Sequence, residues 1–117
     1  MNINPIIEQA FDDFKVDDLL IPIATIKYTG NASTYLTYYT WLNQPEGFSD
    51  DKPFILGTYG TIDVYSKDNF KKIVKEVVKK LEEIGFTWTG NDAEIYEENT
   101  GLFHVPINFY IEANELN

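Results

Sequence analysis

Apolar residues near the N-terminus recur every three or four positions, which is the spacing of one helical face. The residues on that face are Ile7, Ala10, Phe11 and Phe14. Asn4 is suited to cap a helix and Pro5 to occupy its first turn. The pattern therefore predicts a short helix over residues 4–14, ended by the acidic break Asp17-Asp18.

Three later segments are rich in β-branched and aromatic residues, and we predict strands over 21–28, 34–42 and 54–65. Pro22 is tolerated at the start of an edge strand. Between the second and third strands, residues 44–53 combine two prolines with glycine, serine and aspartates, which is typical of a loop longer than a tight turn. We therefore expect a long hairpin with an extended tip.

The apolar period changes from 2 to 3.6 after Ser66, which predicts a helix that ends at Gly85. Its apolar stripe contains Phe70, Ile73, Val74, Val77, Val78, Leu81 and Ile84. Two further strands are predicted, one over 86–89 with 93–97 and one over 102–112. Alternate residues of the last strand form an apolar face, and Pro106 on the other face predicts an edge position or a bulge.

The predicted order α-β-β-β-α-β-β indicates an α+β fold, with a largely antiparallel sheet and both helices packed on one face. The 117 residues are enough for one domain, 1–117, and too few for two ordinary ones. Eight tyrosines and eight phenylalanines give more aromatic surface than two short helices cover. We expect part of that surface to contact a partner.

The chain carries 19 acidic residues against nine lysines, with no arginine, for a net charge of −10. Such a chain is not expected to bind nucleic acid directly, because phosphate binding depends on Lys and Arg. No apolar run approaches the roughly 20 residues of a membrane span, and no basic leader precedes an apolar segment. We therefore expect a cytoplasmic protein without membrane contact.

Six lysines lie between residues 67 and 84, the one stretch in which bases outnumber acids. They fall mostly opposite the apolar stripe of the predicted helix, as a solvated face would. The other interpretation is an electrostatic contact with an acidic surface, such as another copy of this chain. Lys72, Lys75 and Lys79 are the candidates for that contact.

No catalytic, cofactor-binding or metal-binding residues are predicted. There is no cysteine, which excludes thiol chemistry and Cys-ligated metals. His104 is the single histidine and falls on the outward face of a predicted strand, without a motif for a nucleophile. Gly57 and Gly60 lie inside a strand and do not form a phosphate-binding loop. The acidic pairs of the sequence lack the spacing of a calcium-binding loop; they are Asp12-Asp13, Asp17-Asp18 and Asp50-Asp51.

The order of these segments resembles the tail terminator, or tail completion, proteins of long-tailed phages and prophages, and related minor tail and head-tail joining proteins are similar. The resemblance spans nearly the whole chain and follows the segments Tyr35–Tyr39, Pro45–Asp51, Gly60–Ser66, Leu81–Phe86 and Tyr96–Glu112. It implies a structural virion protein without catalytic residues. Such a protein forms a homo-hexameric ring that caps the tail tube and joins it to the head, with tube and head connector proteins as partners. It would be found in the virion, and in the host cytoplasm during assembly.

The resemblance also matches the loop of residues 45–52 with a hairpin extension that reaches a neighbouring subunit. Pro45, Phe48, Asp50 and Asp51 are the expected contact residues, since an aromatic anchor with a charged rim is how interfaces concentrate binding energy. The alternative function is a small acidic binding protein, such as a DNA-mimic inhibitor of a host nucleic-acid enzyme. A mimic should gather its carboxylates on one surface, whereas here they are spread over turns and both ends of the chain.

Overall fold

A computed structural model describes residues 2–49, 52–68 and 70–114 and shows the expected α+β fold. This part of the chain contains two helices, α1 (Asn4–Ala10) and α2 (Phe70–Glu83), and eight strands. The strands are β1 (Lys15–Val16), β2 (Leu19–Leu20), β3 (Ile23–Thr25), β4 (Tyr35–Ser49), β5 (Lys52–Ser66), β6 (Thr87–Asn91), β7 (Ile95–Glu97) and β8 (Leu102–Asn114).

Six strands form the main sheet in the order β3-β4-β5-β8-β6, with β7 also paired to β8. All its pairings are antiparallel except that of β3 with β4. β3 is shorter than the strand predicted over 21–28, because Ile26 adopts a φ of 64° and turns the chain out of the extended conformation. The largely antiparallel sheet is confirmed, with one short parallel strand at its edge.

Both helices pack on the same face of this sheet, where the core lies. α1 contributes Ile7, and α2 contributes Ile73, Val77 and Leu81, all of them buried. From the sheet, this core receives Leu36, Tyr38, Ile62, Val64, Val105, Ile107 and Phe109. The apolar stripe predicted for the second helix therefore faces the sheet, as expected from its period of 3.6.

The N-terminal helix is shorter than predicted. It ends at Ala10, and β1 and β2 then form a tight antiparallel hairpin before the main sheet. Asp17 and Asp18 close this hairpin with φ of 52° and 65°, a left-handed conformation that aspartate tolerates better than most residues. The helix cap also differs, since Asn4 lies inside the helix and its N–H donates to Oδ1 of Asn2 at 3.0 Å.

The loop predicted over residues 44–53 is instead mostly strand. β4 continues to Ser49, and β5 begins at Lys52, directly opposite it. The prediction was wrong because register shifts around Pro45 and Gly47 let turn-forming residues stay within a bulged ladder. Fifteen residues at about 3.3 Å each span roughly 45–50 Å, close to the molecule's longest dimension of 52 Å. The hairpin therefore sets the long axis.

Pro106 lies in β8, an interior strand paired with β5 on one side and with β6 and β7 on the other. The predicted edge position is therefore wrong, but the ladder is irregular beside Pro106, between Asn91↔Ile107 and Ile95↔His104. Its carbonyl accepts a hydrogen bond from the Asp92 N–H at 3.0 Å, in the break between β6 and β7. Its nitrogen faces the same break, so the missing N–H costs no ladder hydrogen bond there.

Candidate functional site

The outer half of the β4–β5 hairpin extends past the helix-covered core, and we call it the arm (residues 41–49 and 52–59). A bulge at the base of the arm makes Trp41 an extra residue between Thr40 and Leu42. Trp41 and Leu42 are consequently 52% and 40% exposed, next to Tyr39 at 38%. The period-2 pattern did not reveal this apolar patch, because a bulge shifts the alternation of side chains by one residue.

The sheet face opposite the helices carries Tyr35, Thr37, Asp63, Tyr65 and His104, and we call it the open face. Three neighbouring strands place Tyr35, Tyr65 and His104 in register. Their rings stack with centroid distances of 4.7 and 4.3 Å, and Tyr28 stacks on Tyr35 at 4.4 Å. The resulting row of four rings runs across the sheet, so each ring uses at least one of its faces on a neighbour.

Asp63 is the buried acid of the open face. Its Oδ1 accepts a hydrogen bond from Nε2 of His104 at 2.9 Å, and its Oδ2 accepts one from Thr37 Oγ1 at 3.5 Å. Glu97 Oε2 lies 3.8 Å from Nδ1 of the same imidazole. Both ring nitrogens thus face carboxylates.

The pKa of His104 is raised, first by its hydrogen bond to Asp63 and then by the charges of Asp63 and Glu97, against the opposing effect of burial. Burial, with smaller contributions from the same two acids, raises the pKa of Tyr65 to about 12. The tyrosine therefore stays neutral at physiological pH, and the two acids shift the imidazole toward its charged form. His104 lies on the outward face, as predicted, but the structure places it in an ion-pair network.

A second polar network crosses the open face at the base of the arm. Trp41 Nε1 donates to Thr61 Oγ1 at 3.0 Å, and Thr61 Oγ1 donates to Asn108 Oδ1 at 2.8 Å. Asn108 Nδ2 then donates to Asp92 Oδ1 at 3.2 Å. Each of these polar side chains is hydrogen-bonded to its neighbour, so the network holds the exposed indole in place.

A groove of about 450 Å³ lies between α2 and β6 and is lined by Val74, Val78 and Trp88. Lys75 and Lys79, two of the three lysines predicted to make an electrostatic contact, lie along it. The third, Lys72, instead pairs with Asp17 at 2.5 Å. The structure therefore brings two of the predicted lysines together and directs the third toward the β1–β2 hairpin.

Two of the four predicted loop-tip residues, Pro45 and Phe48, lie in the part of β4 that belongs to the arm. Pro45 is exposed in β4, and the backbone of Phe48 pairs with Pro53. The Phe48 side chain, Asp50 and Asp51 lie outside the described residues. Their predicted contact with another copy of the chain stays a prediction.

No metal site is found in residues 2–49, 52–68 and 70–114, where no three metal-ligating side chains come together. Neither α1 nor α2 has the length and apolar composition needed to cross a membrane. No known protein-family model matches the sequence, and no curated protein is significantly similar to it. The fold and its surfaces are therefore the basis on which a function can be proposed.

Proposed function

We propose that this chain is a self-assembling structural protein of the tail terminator type, whose copies form a ring at the end of a phage tail tube. The observation that carries the proposal is the arm, which extends the sheet beyond the helices. β8 continues beside β5 as far as Ile55↔Asn114, so only the outermost part of the arm is a two-stranded ribbon, which is marginally stable without packing. That end of the arm gains stability when a neighbouring subunit packs against it.

The apolar patch at the base of the arm supports the same function. Tyr39, Trp41 and Leu42 are exposed and close in sequence, and Trp and Tyr are the residues that most often anchor interfaces. The hydrogen bond from Trp41 to Thr61 fixes the indole before any partner arrives, which lowers the entropy cost of binding. The patch therefore has the composition and the rigidity of an interface.

The open face supports assembly over catalysis. Asp63 and His104 are paired with one another, and both nitrogens of the single histidine face carboxylates. Catalytic sites need a group that remains available to the substrate. We accordingly propose a structural role, with tail tube and head connector proteins as further partners and the virion as the location.

The acidic composition fits a ring through which DNA passes, since a negative channel repels phosphate and does not retain the nucleic acid. Nine lysines do not offset the 19 acids of each copy, and a hexamer would carry six times that excess. The proposed number of six subunits is based on the resemblance of the sequence to tail terminator proteins.

The experiment is to measure the mass of the protein by light scattering across a concentration series. We expect a ring-sized species for the wild type and monomers for the triple variant Phe48→Ala/Asp50→Ala/Asp51→Ala. In tail assembly reactions this variant should yield tails of uncontrolled length. Its thermal stability as a dilute monomer should be nearly unchanged.

A matched control removes one exposed apolar residue and two exposed aspartates elsewhere, as Ile26→Ala/Asp12→Ala/Asp13→Ala. This control should assemble like the wild type. Normal rings and normal tail lengths from the Phe48 triple variant contradict the role of the arm tip. A wild-type chain that stays monomeric at every concentration contradicts the proposed function and favours a small acidic binding protein.

A further inference from the structure

The groove between α2 and β6 has an apolar floor that packing against the core leaves partly exposed. Val74 and Val78 lie one turn apart on α2, beside the core residues Ile73 and Val77, and are only partly buried. Across from them, Trp88 on β6 is 42% exposed. Its Nε1 donates to Asn91 Oδ1 at 2.9 Å, so the one polar group of the indole is already satisfied.

The rim of the groove is basic in an otherwise acidic protein. Lys71, Lys75 and Lys79 lie along it, opposed by Glu82. Among the described residues, none of these three lysines forms an ion pair, whereas the neighbouring Lys72 and Lys80 do. The groove is therefore an apolar slot with unneutralised positive charge, which fits an acidic segment that carries an apolar anchor.

We propose that this groove receives the arm tip of a second copy of the chain, an inference that rests on the proposed self-assembly. The tip has the matching chemistry in its sequence: residues 45–52 contain one aromatic residue, Phe48, and three acids, Glu46, Asp50 and Asp51, against one lysine. Phe48 fills the apolar floor beside Trp88, and the carboxylates meet the lysine rim.

The tip comes from another copy because the arm cannot fold back onto its own groove. Despite three register shifts, its strands stay paired from Tyr35↔Tyr65 to Ser49↔Lys52, so the arm stays extended along the long axis of its own subunit. Arm and groove are two different surfaces, which makes the contact head-to-tail. Contacts of this kind close into rings when the rotation between subunits permits it.

The position of β6 favours an extended occupant. β6 is the last strand of the sheet in the described part of the chain, so its outer edge has no neighbouring strand there. A strand arriving from another copy can pair with such an edge while its side chains enter the adjacent groove. The bulge between Trp88 and Gly90 limits that pairing to a short stretch.

A charge-reversal series tests the groove by light scattering. Lys71→Glu/Lys75→Glu should shift the assembled species to monomer, whereas Lys27→Glu, an exposed lysine far along the chain from α2, should assemble normally. Adding Glu46→Lys/Asp50→Lys/Asp51→Lys to the groove variant reverses both partners and should restore assembly. Circular dichroism checks that each variant is folded.

Normal assembly of Lys71→Glu/Lys75→Glu overturns the groove as the docking site. If that variant is monomeric and the reversed tip fails to restore assembly, the arm tip is overturned as the occupant. Either result leaves the proposed function intact, provided that the wild type still assembles.

A peptide-binding experiment tests whether the groove binds the arm tip, independently of ring formation. The protein is the Phe48→Ala/Asp50→Ala/Asp51→Ala variant with Trp41→Phe, so that no native tip competes and Trp88 is the one remaining tryptophan. A synthetic peptide of residues 44–53 should shift the Trp88 emission to shorter wavelength, with at least tenfold weaker binding in high salt. The same peptide with Phe48→Ala is the control, and no shift at millimolar native peptide overturns the proposal.

Discussion

The two faces of the main sheet are built from alternate residues of the same strands, yet they are stabilised differently. On the helix-covered face, Leu36, Ile62 and Ile107 are fully buried among apolar neighbours. On the open face, Thr37, Thr61 and Asp63 are also nearly inaccessible, although both helices pack on the other side. Their shielding comes from long side chains that lie across the strands, in stacked rings and hydrogen-bonded rows.

The difference shows that the stability of the covered face depends on close packing, whereas that of the open face depends on hydrogen bonds between its side chains. Apolar residues of the covered face tolerate changes that preserve volume, but not a charge or an added atom. Polar residues of the open face depend on each neighbour to satisfy a hydrogen bond, so removing one partner leaves the other unpaired in a shielded position. Substitutions on the two faces should therefore fail in different ways.

The largest effect is expected for Val77→Asp on the covered face. Val77 is fully buried between α2 and the sheet, so the variant buries an unpaired carboxylate. We expect a loss of about 3–5 kcal/mol, a large share of the roughly 5–15 kcal/mol that stabilises a domain. Urea unfolding followed by circular dichroism measures it.

Lys79→Asp on the exposed side of α2 is the control for the helix propensity of aspartate. Lys79→Asp should lower the free energy of unfolding by well under half of the loss caused by Val77→Asp. An unchanged unfolding midpoint for Val77→Asp contradicts the packing of α2 on the sheet.

A smaller effect is expected for Gly60→Ala, because Gly60 lies against the Phe109 ring of β8 and the backbone of β4. A Cβ at residue 60 would lie 2.5 Å from Phe109 Cζ and 2.7 Å from the carbonyl oxygen of Tyr39. Because one obstacle is backbone, the strands must separate, which should cost about 1–3 kcal/mol. Thr40→Ala, the register partner of Gly60, is the control and should be nearly neutral; equal stability of both variants refutes the close approach.

Much of the covered face could be predicted from the sequence, because burial there follows the regular spacing of apolar residues along each element. The spacing of Ile73, Val77 and Leu81 predicts both α2 and the side that it buries. The alternation in β8 likewise predicts Val105, Ile107 and Phe109 as core residues. A local pattern was sufficient in both cases.

The open face and the arm could not be predicted in this way, because they depend on register. Asp63 and His104 are 41 residues apart, and a one-residue slip of β8 against β5 would place them on opposite faces. The arm was missed because proline and glycine predict a loop unless bulges keep them in a ladder. The groove required knowing that β6 lies beside α2, which follows from strand order and not from the sequence of either element.

The smallest effect is expected at His104, where the open face should make stability depend on pH. Its pKa in the folded state is raised, chiefly by the hydrogen bond to Asp63, above the unfolded value near 6.5. A raised folded pKa means that protonation favours the folded state, so this contribution is complete below pH 6.5 and is lost as pH rises through the folded pKa. The groups facing the imidazole are Asp63 and Tyr65 on β5 and Glu97 on β7.

We therefore expect the free energy of unfolding to fall by about 1 kcal/mol between pH 6 and pH 9, the scale of a partly shielded ion pair. His104→Gln should remove most of this pH dependence, and Asp63→Asn should lower the midpoint of the His104 titration followed by NMR. The assignment is simple because the chain has one histidine. A titration midpoint at or below 6.5 in the wild type would show that the Asp63 contact does not hold the proton, and the open face would then lack the electrostatic coupling that distinguishes it from the covered one.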